Sequence, residues 1–546
     1  MSIHGNWDRR FSRRDFLKVG GMGAAALALG SNEALARPRP GGRRAGFGSL
    51  VEDRRGLLDL PRGFRYRVIS PQFDPRTLEQ KTVDGETVFV GEPNRLDFPR
   101  EPVPGDHDGM AALRGPRNTT ILVRNHELSP GDIEGNAGDS EVPGRVPYDP
   151  DQPGGTTGIV VGRNGKVIRD YVTSSGTNRN CSGGPTPWNT WLTCEETRIR
   201  AEEDEQASRD HGYVFEVLPY GGQYLSALPI RDMGFFSHEA VGIDPRTGIA
   251  YLTEDDFRGE IPDDPRDERP DNDEDPNNEV DYEVASRSSF LYRFVPNARN
   301  LRPGSYLKGG KLQALGLREP AKSRISNNAD LADQGQSTRR VRWIDVNPEE
   351  AHADALAKDA LRFNRLEGAD FAGGAFWFND TAGGEARLGQ TFRLVPGRNG
   401  NDRIELFFES DDPENMQSPD NTVVSPWGDL WFCEDGEGDD RVMGITPDGG
   451  TYEFARNRLN DSELAGCTFA PDGRTFFVNI QNPGLTFIIQ GPFGRVNRRR
   501  QRQLSYASPP AGYGPKISGE LSEAAEKHGL GPLEAAVYDR AGYELA

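Results

Sequence analysis

Short apolar runs that close on acidic or amide residues recur along the chain. Ile121-Leu122-Val123-Arg124 runs into Asn125-His126-Glu127, Trp191-Leu192-Thr193 into Cys194-Glu195-Glu196, and Ala250-Tyr251-Leu252-Thr253 into Glu254-Asp255-Asp256. Ala375-Phe376-Trp377-Phe378 closes on Asn379-Asp380, Leu430-Trp431-Phe432-Cys433 on Glu434-Asp435, and Phe476-Phe477-Val478 on Asn479-Ile480-Gln481. Such runs, rich in aromatic and β-branched residues and bounded by turn formers, read as strands. Asp244–Gly248, Ser425–Gly428 and Pro471–Gly473 supply turns before three of them. Further strand runs follow: Ile159–Val161, Val214–Val217, Phe290–Phe294, Thr391–Leu394, Val442–Ile445 and Thr486–Gln490.

A unit of several short strands that repeats every forty residues or more, here with long insertions, predicts an all-β chain and a β-propeller. Equivalent strand ends in a propeller converge on one face near the axis. The six acid- and amide-bearing ends therefore predict a polar, mostly acidic ring. Crowded carboxylates stay ionised cheaply only when cations neutralise them.

Gly63–Ser70 and Thr87–Val90 read as additional strands, and Glu349–Leu361 as a surface helix. Glu254–Glu283 is acidic and lacks the spacing of an EF-hand, which predicts a solvated loop. Arg495–Arg502 is basic and solvated by the same reasoning. The division expected is a signal over 1–36, a basic Gly-rich linker over 37–58, the propeller over 59–510 and a C-terminal helical extension over 511–546.

The signal is legible in three parts. Ser12-Arg13-Arg14-Asp15-Phe16-Leu17-Lys18 carries a twin-arginine pair, Val19–Leu29 is apolar, and Ala34-Leu35-Ala36 offers a small-residue cleavage site. This predicts Tat export to the periplasm or the medium, with the Tat machinery as a partner. The apolar run is too short for a stable membrane anchor. Export in the folded state lets a chain take up metal before it crosses.

The net charge of -20 repels nucleic acid and draws divalent cations. An anionic substrate then needs local positive charge. Four cysteines, Cys181, Cys194, Cys433 and Cys467, allow three pairings, and no CxxC suggests structural zinc.

The densest chemistry lies in Asn178–Glu196, where Trp188–Thr193 reads as a strand that delivers Glu195 and Glu196 close to the thiol of Cys181. A thiolate suits a transition metal, and hard carboxylate oxygens suit calcium or ferric iron. Arg365 and Glu367 point the same way if their segment is extended.

These pieces resemble the PhoX-type alkaline phosphatase family, in a divergent branch. The motifs that carry the resemblance are Asn125-His126-Glu127, the Cys181 segment with Thr193-Cys194-Glu195-Glu196, and Phe236-Ser237-His238-Glu239. Leu252-Thr253-Glu254-Asp255, Glu367-Gly368, Ser418-Pro419-Asp420-Asn421, Cys433-Glu434-Asp435 and Phe477-Val478-Asn479-Ile480-Gln481 complete them. The resemblance implies a six-bladed propeller holding Fe3+ and Ca2+ on its axis. It implies hydrolysis of small phosphate monoesters by a metal-bound oxide or hydroxide. By motif, Cys181, Glu195, Glu254, Glu367 and Glu434 would be metal ligands, with Glu127, Glu196 and Glu239 as further candidates. Phe235 stands where relatives carry arginine, so Arg124, Arg365 or Arg387 is expected to contact the phosphate. Two other functions are compatible with an acidic axial ring: a calcium-dependent lactonase and a non-catalytic calcium-stabilised binding propeller. Calcium alone has no need of the thiol.

Overall fold

Every acid-tipped run is a strand: Thr120–His126, Trp191–Glu195, Ala250–Glu254, Ala375–Asp380, Leu430–Glu434 and Thr475–Ile480. The computed structural model describes residues 46–495 except 84–85, 132–140, 145, 222–223, 257–287, 319–337 and 437. Each of these strands pairs antiparallel with a leading strand that precedes it. The leading strands are His107–Arg114, Asn180–Pro185, His238–Ile243, Leu366–Ala372, Pro419–Val424 and Leu464–Phe469. Each lies beside the next, and Leu464–Phe469 returns to His107–Arg114, so they form a closed ring. The result is an all-β, propeller-like arrangement.

Apolar layers fill the gaps between successive sheets, which is why the strands are buried on both faces. Val123 and Trp191 meet in one gap, Leu192, Phe236 and Leu252 in the next, and Tyr251 and Phe376 beyond. Phe408 packs near Phe432, Trp431 near Phe476, and Phe477 near Leu122. Each such large apolar side chain contributes about 1.5–3 kcal/mol on burial. The outer strand Thr338–Asp345 pairs with both Gly310–Leu317 and Arg403–Glu409 and so joins two sheets into one.

The N-terminal part of the described chain closes the ring. Arg65–Ile69 adds to Leu485–Gln490, and Leu58–Pro61 adds to Thr451–Asn457. The expected linker is therefore shorter than 37–58. Leu50–Val51 pairs with Leu58–Pro61 as the edge strand of that sheet, and Leu58 and Leu60 alternate with Asp59 to bury both leucines.

The predicted strand at Trp188–Thr193 begins later, at Trp191, and ends at Glu195. Trp188 lies before it and donates its indole N–H to Glu216 Oε1 at 2.6 Å. The predicted helix runs over Ala351–Ala357, preceded by a 3-10 turn at Pro348–Glu350. All four cysteines are free and buried. The signal, most of the acidic insertion, the basic run after Arg495 and the C-terminal helical extension lie outside the described residues.

Candidate metal centre

One backbone device recurs at the start of each leading strand. The register with the partner strand slips by a bulge, for example between His107 and Met110, Asn180 and Gly183, His238 and Val241, and Leu366 and Ala369. A bulge re-aims the side chains beside it. Asp108, Cys181, Glu239, Glu367 and Asp420 occupy the bulges of five leading strands, all buried. Neighbouring bulges approach so closely that a Cβ on Gly109 would lie 2.6 Å from the Cys181 carbonyl, and one on Gly368 2.5 Å from the Asp420 carbonyl. Glycine at both positions is what lets the ring tighten.

The second strands end in a three-residue sequence whose members do different work. The first residue holds the neighbouring sheet: Asn125 Nδ2 donates to the Ser182 carbonyl at 2.7 Å, Asn379 Nδ2 to Asp420 O at 3.0 Å, and Asn479 Nδ2 to Asp108 O at 2.6 Å. The second stays within its own sheet. Glu195 Oε1 meets His211 Nδ1 at 2.6 Å and Oε2 accepts from Gly212 N at 2.9 Å. Glu254 takes His352 Nδ1 at 2.8 Å and the Tyr292 hydroxyl at 3.1 Å. Glu434 is gripped by Arg441, with Nε to Oε2 at 2.6 Å. The third residue, one step on, points the other way: Glu127, Glu196 and Asp255 join the centre.

Four groups of donors result, in each of which one ligand atom per residue lies within 4.8 Å of the others: Cys181, Glu196 and Glu239; Glu196, Asp255 and Glu367; Glu239, Glu367 and Asp420; and Asp108, Glu127 and Glu463. The first three share members and form one continuous cluster. Gln481 Nε2 donates to Glu127 Oε2 at 2.7 Å beside the fourth. Burial raises the Cys181 thiol well above its ordinary range, and Glu239, Glu196, Cys194 and Asp108 raise it further. Without a cation it is a neutral thiol at physiological pH. Burial also lowers neighbouring His238 to about 3, so its ring is neutral.

Two arginines meet these acids. Arg365 holds Asp255 in a fork, Nε to Oδ1 at 3.1 Å and Nη2 to Oδ2 at 2.6 Å, and Nη2 also reaches Glu367 Oε1 at 2.8 Å. Arg179 Nη2 spans Glu127 Oε1 at 2.7 Å and Glu196 Oε2 at 3.0 Å.

Of the ligands expected from the sequence, Cys181, Glu367, Glu127, Glu196 and Glu239 come together. Glu195, Glu254 and Glu434 do not: among the described residues they belong to none of the four groups and are hydrogen-bonded to His211, His352 and Arg441. Asp108, Asp255, Asp420 and Glu463 were not among the expected ligands. The pair His107-Asp108 parallels His238-Glu239, a signal present in the sequence.

Of the expected phosphate contacts, only Arg365 reaches the cluster. Arg124 is fully buried among sheets, donating to Ser70 O at 2.9 Å, Thr486 Oγ1 at 2.7 Å and Thr157 Oγ1 at 3.1 Å. Arg387 is exposed on the loop after Thr381. Phe235 lies beneath the guanidinium of Arg200, 3.6 Å from its ring centroid. Arg200 is itself paired with Asp210 at 2.9 Å.

The donor set fits metal on its own chemistry. Buried carboxylates from different sheets crowd one place, and a single thiol lies among them. The chain has the same fold as PhoX of Pseudomonas fluorescens, whose structure holds vanadate, a transition-state analogue: 16% identity, 80% of this chain and 97% of that one covered, TM-score 0.55. A gluconolactonase from Xanthomonas campestris matches at 13% identity over 78% of this chain and 98% of its own, with a TM-score of 0.33 that supports no inference. No curated protein matches the sequence. A model of the twin-arginine translocation signal matches residues 10–30, and the protein is exported by the Tat pathway to the periplasm or the medium. No helix among the described residues is long and apolar enough to cross a membrane.

Fold, family match and export signal define a metal-dependent phosphoester hydrolase, a phosphatase on a propeller-like scaffold. The family model described as alkaline phosphatase PhoX matches residues 45–261 and 274–484, and the chain belongs to that family.

Proposed function

We propose that the chain hydrolyses small phosphate monoesters at an iron and calcium centre on the axis of a six-bladed propeller. The observation that carries this reading is the buried meeting of Cys181 with Glu196 and Glu239, within 4.8 Å, in continuity with Asp255, Glu367 and Asp420. The six-blade count is supported by the closed ring of six leading strands, each paired with a second strand of its own.

Cys181 supplies the soft donor and suits Fe3+, shared with Glu196 and Glu239. The all-oxygen group of Asp108, Glu127 and Glu463 suits Ca2+. Bound cations there would screen the phosphate dianion and polarise its oxygens. The chain's own residues do the rest. The bulges fix the carboxylates before substrate arrives, so little reorganisation is needed. Arg365, forked on Asp255 and touching Glu367, is a rigid cation at the edge of the cluster and the candidate for orienting the phosphate. Leu366 and the buried apolar layers behind the leading strands keep bulk water away from the back of the cluster.

Cys181 argues against the lactonase alternative, which needs only oxygen donors. The test is hydrolysis of a generic phosphomonoester and of a simple lactone by the exported protein. Phosphate release with no lactone opening supports the reading. Lactone opening without phosphate release overturns it.

A further inference from the structure

Arg179 and Arg365 are placed by the same local structure. Each stands two residues before a bulge donor, Cys181 in one case and Glu367 in the other. Each has a left-handed backbone, φ 46° and φ 67°, conformations that L-residues adopt rarely and keep only when the surroundings enforce them. Each carbonyl accepts from the residue just past its sheet's second strand, Glu196 N to Arg179 O at 2.9 Å and Thr381 N to Arg365 O at 2.9 Å. The two guanidinium groups flank one set of acids: Arg179 touches Glu196, and Arg365 touches Asp255 and Glu367, whose ligand atoms lie within 4.8 Å of one another. Their separation is therefore bounded by that group plus a hydrogen bond on each side.

They are held differently. Arg365 grips Asp255 with two nitrogens and its side chain is 8% exposed. Arg179 reaches the carboxylates of Glu127 and Glu196 through Nη2, donates from Nε to the Glu196 carbonyl at 3.3 Å, and is 20% exposed. Arg365 commits a fork to one carboxylate, whereas Arg179 shares one nitrogen between two carboxylates and is the more exposed of the two.

We infer that Arg179 is a second phosphate-binding residue, facing Arg365 across the acid cluster; the inference rests on the phosphatase reading of this site. When Glu127 and Glu196 carry cations, their hold on Arg179 weakens and its guanidinium turns to the phosphate dianion. The net charge of -20 opposes entry of any dianion, and a paired arginine at the solvent side offsets that field locally.

The test is titration of the metal-loaded, full-length exported protein with inorganic phosphate by calorimetry, with metal content measured on the same samples. Wild type is compared with Arg179→Met, Arg179→Lys and Arg365→Met. The inference expects Arg179→Met to weaken phosphate at least tenfold at unchanged metal content, and Arg179→Lys to weaken it less. Equal phosphate affinity in wild type and Arg179→Met overturns it. So does loss of metal in Arg179→Met, which would make Arg179 a spacer among ligands, and so does a wild type that binds no phosphate. Turnover of a phosphomonoester by wild type, read separately, reports on the phosphatase reading. Turnover with phosphate binding indifferent to Arg179 discards the inference alone. Phosphate binding that depends on Arg179 without turnover discards the reading alone.

Discussion

Glu195 and Glu196 are adjacent in the chain and serve opposite sides of it. Glu195 turns into its own sheet, where it meets His211 Nδ1 at 2.6 Å and the backbone of Gly212 at 2.9 Å. Glu196 turns into the cluster with Cys181 and Glu239 and accepts from Arg179 at 3.0 Å. Strand alternation separates an acid held by its own surroundings from one that faces the cluster by a single residue.

The two are expected to fail differently. Glu195→Ala leaves a buried imidazole and several backbone N–H groups without their acceptor and costs on the order of 3–5 kcal/mol in urea unfolding. Glu196→Gln keeps most of the stability and lowers phosphate release by at least about 100-fold, with loss of bound metal. The same midpoint shift and the same activity loss for both variants would contradict the division.

His211 gives the fold a pH dependence. Burial by itself lowers this histidine, but the charge of Glu195 and the hydrogen bonds to Asp149 and Glu195 outweigh it and raise it to about 9. A histidine raised in the folded state stabilises fully below its ordinary value of about 6.5, and that contribution is lost as pH rises through the folded value. Unfolding free energy should therefore fall by on the order of 3 kcal/mol between neutral pH and about pH 10. Paired denaturation curves of wild type and His211→Gln check this: their difference should shrink across that window. A constant difference would count against it.

Arg124 is predicted to be structural. Its loss leaves Ser70 O, Thr486 and Thr157 short of a buried donor, so Arg124→Met should cost at least about 2 kcal/mol. KM for a phosphomonoester should stay within about twofold of wild type. A large rise in KM at unchanged stability would place Arg124 at the substrate instead.

Much of this architecture is legible in the chain. The apolar runs and their polar tips mark the second strands to within a residue or two, and Cys181 is marked as central. The limit is phase. A tip such as Thr253-Glu254-Asp255 does not say which residue turns inward until the register with the leading strand is known. Glu254 is the in-register partner of His238, and Asp255 lies one step past it. Asp108 and Asp420 are hidden for a related reason, because a bulge breaks the alternation that would reveal them. Arg124 has the composition of an anion contact and the position of a mid-strand residue closed over by the last sheet, a long-range fact that no local pattern carries.

The group of Asp108, Glu127 and Glu463 is expected to behave as an oxygen-only cation site. Asp108→Asn or Glu463→Gln should lower the calcium content of the purified protein and leave the iron content unchanged, as read by elemental analysis. Asp435→Asn, at a strand tip that joins none of the donor groups, should change neither. Iron lost together with calcium in Asp108→Asn would contradict the separation of the two sites.

The most direct measurement is elemental analysis of the protein exported folded by its native host, paired with phosphate release from a generic monoester before chelation, after chelation and after calcium is restored. The account predicts iron and calcium together, release abolished by chelation and recovered with calcium, and an iron content that disappears in Cys181→Ser. Calcium without iron, and no phosphate release under any of these conditions, would contradict it.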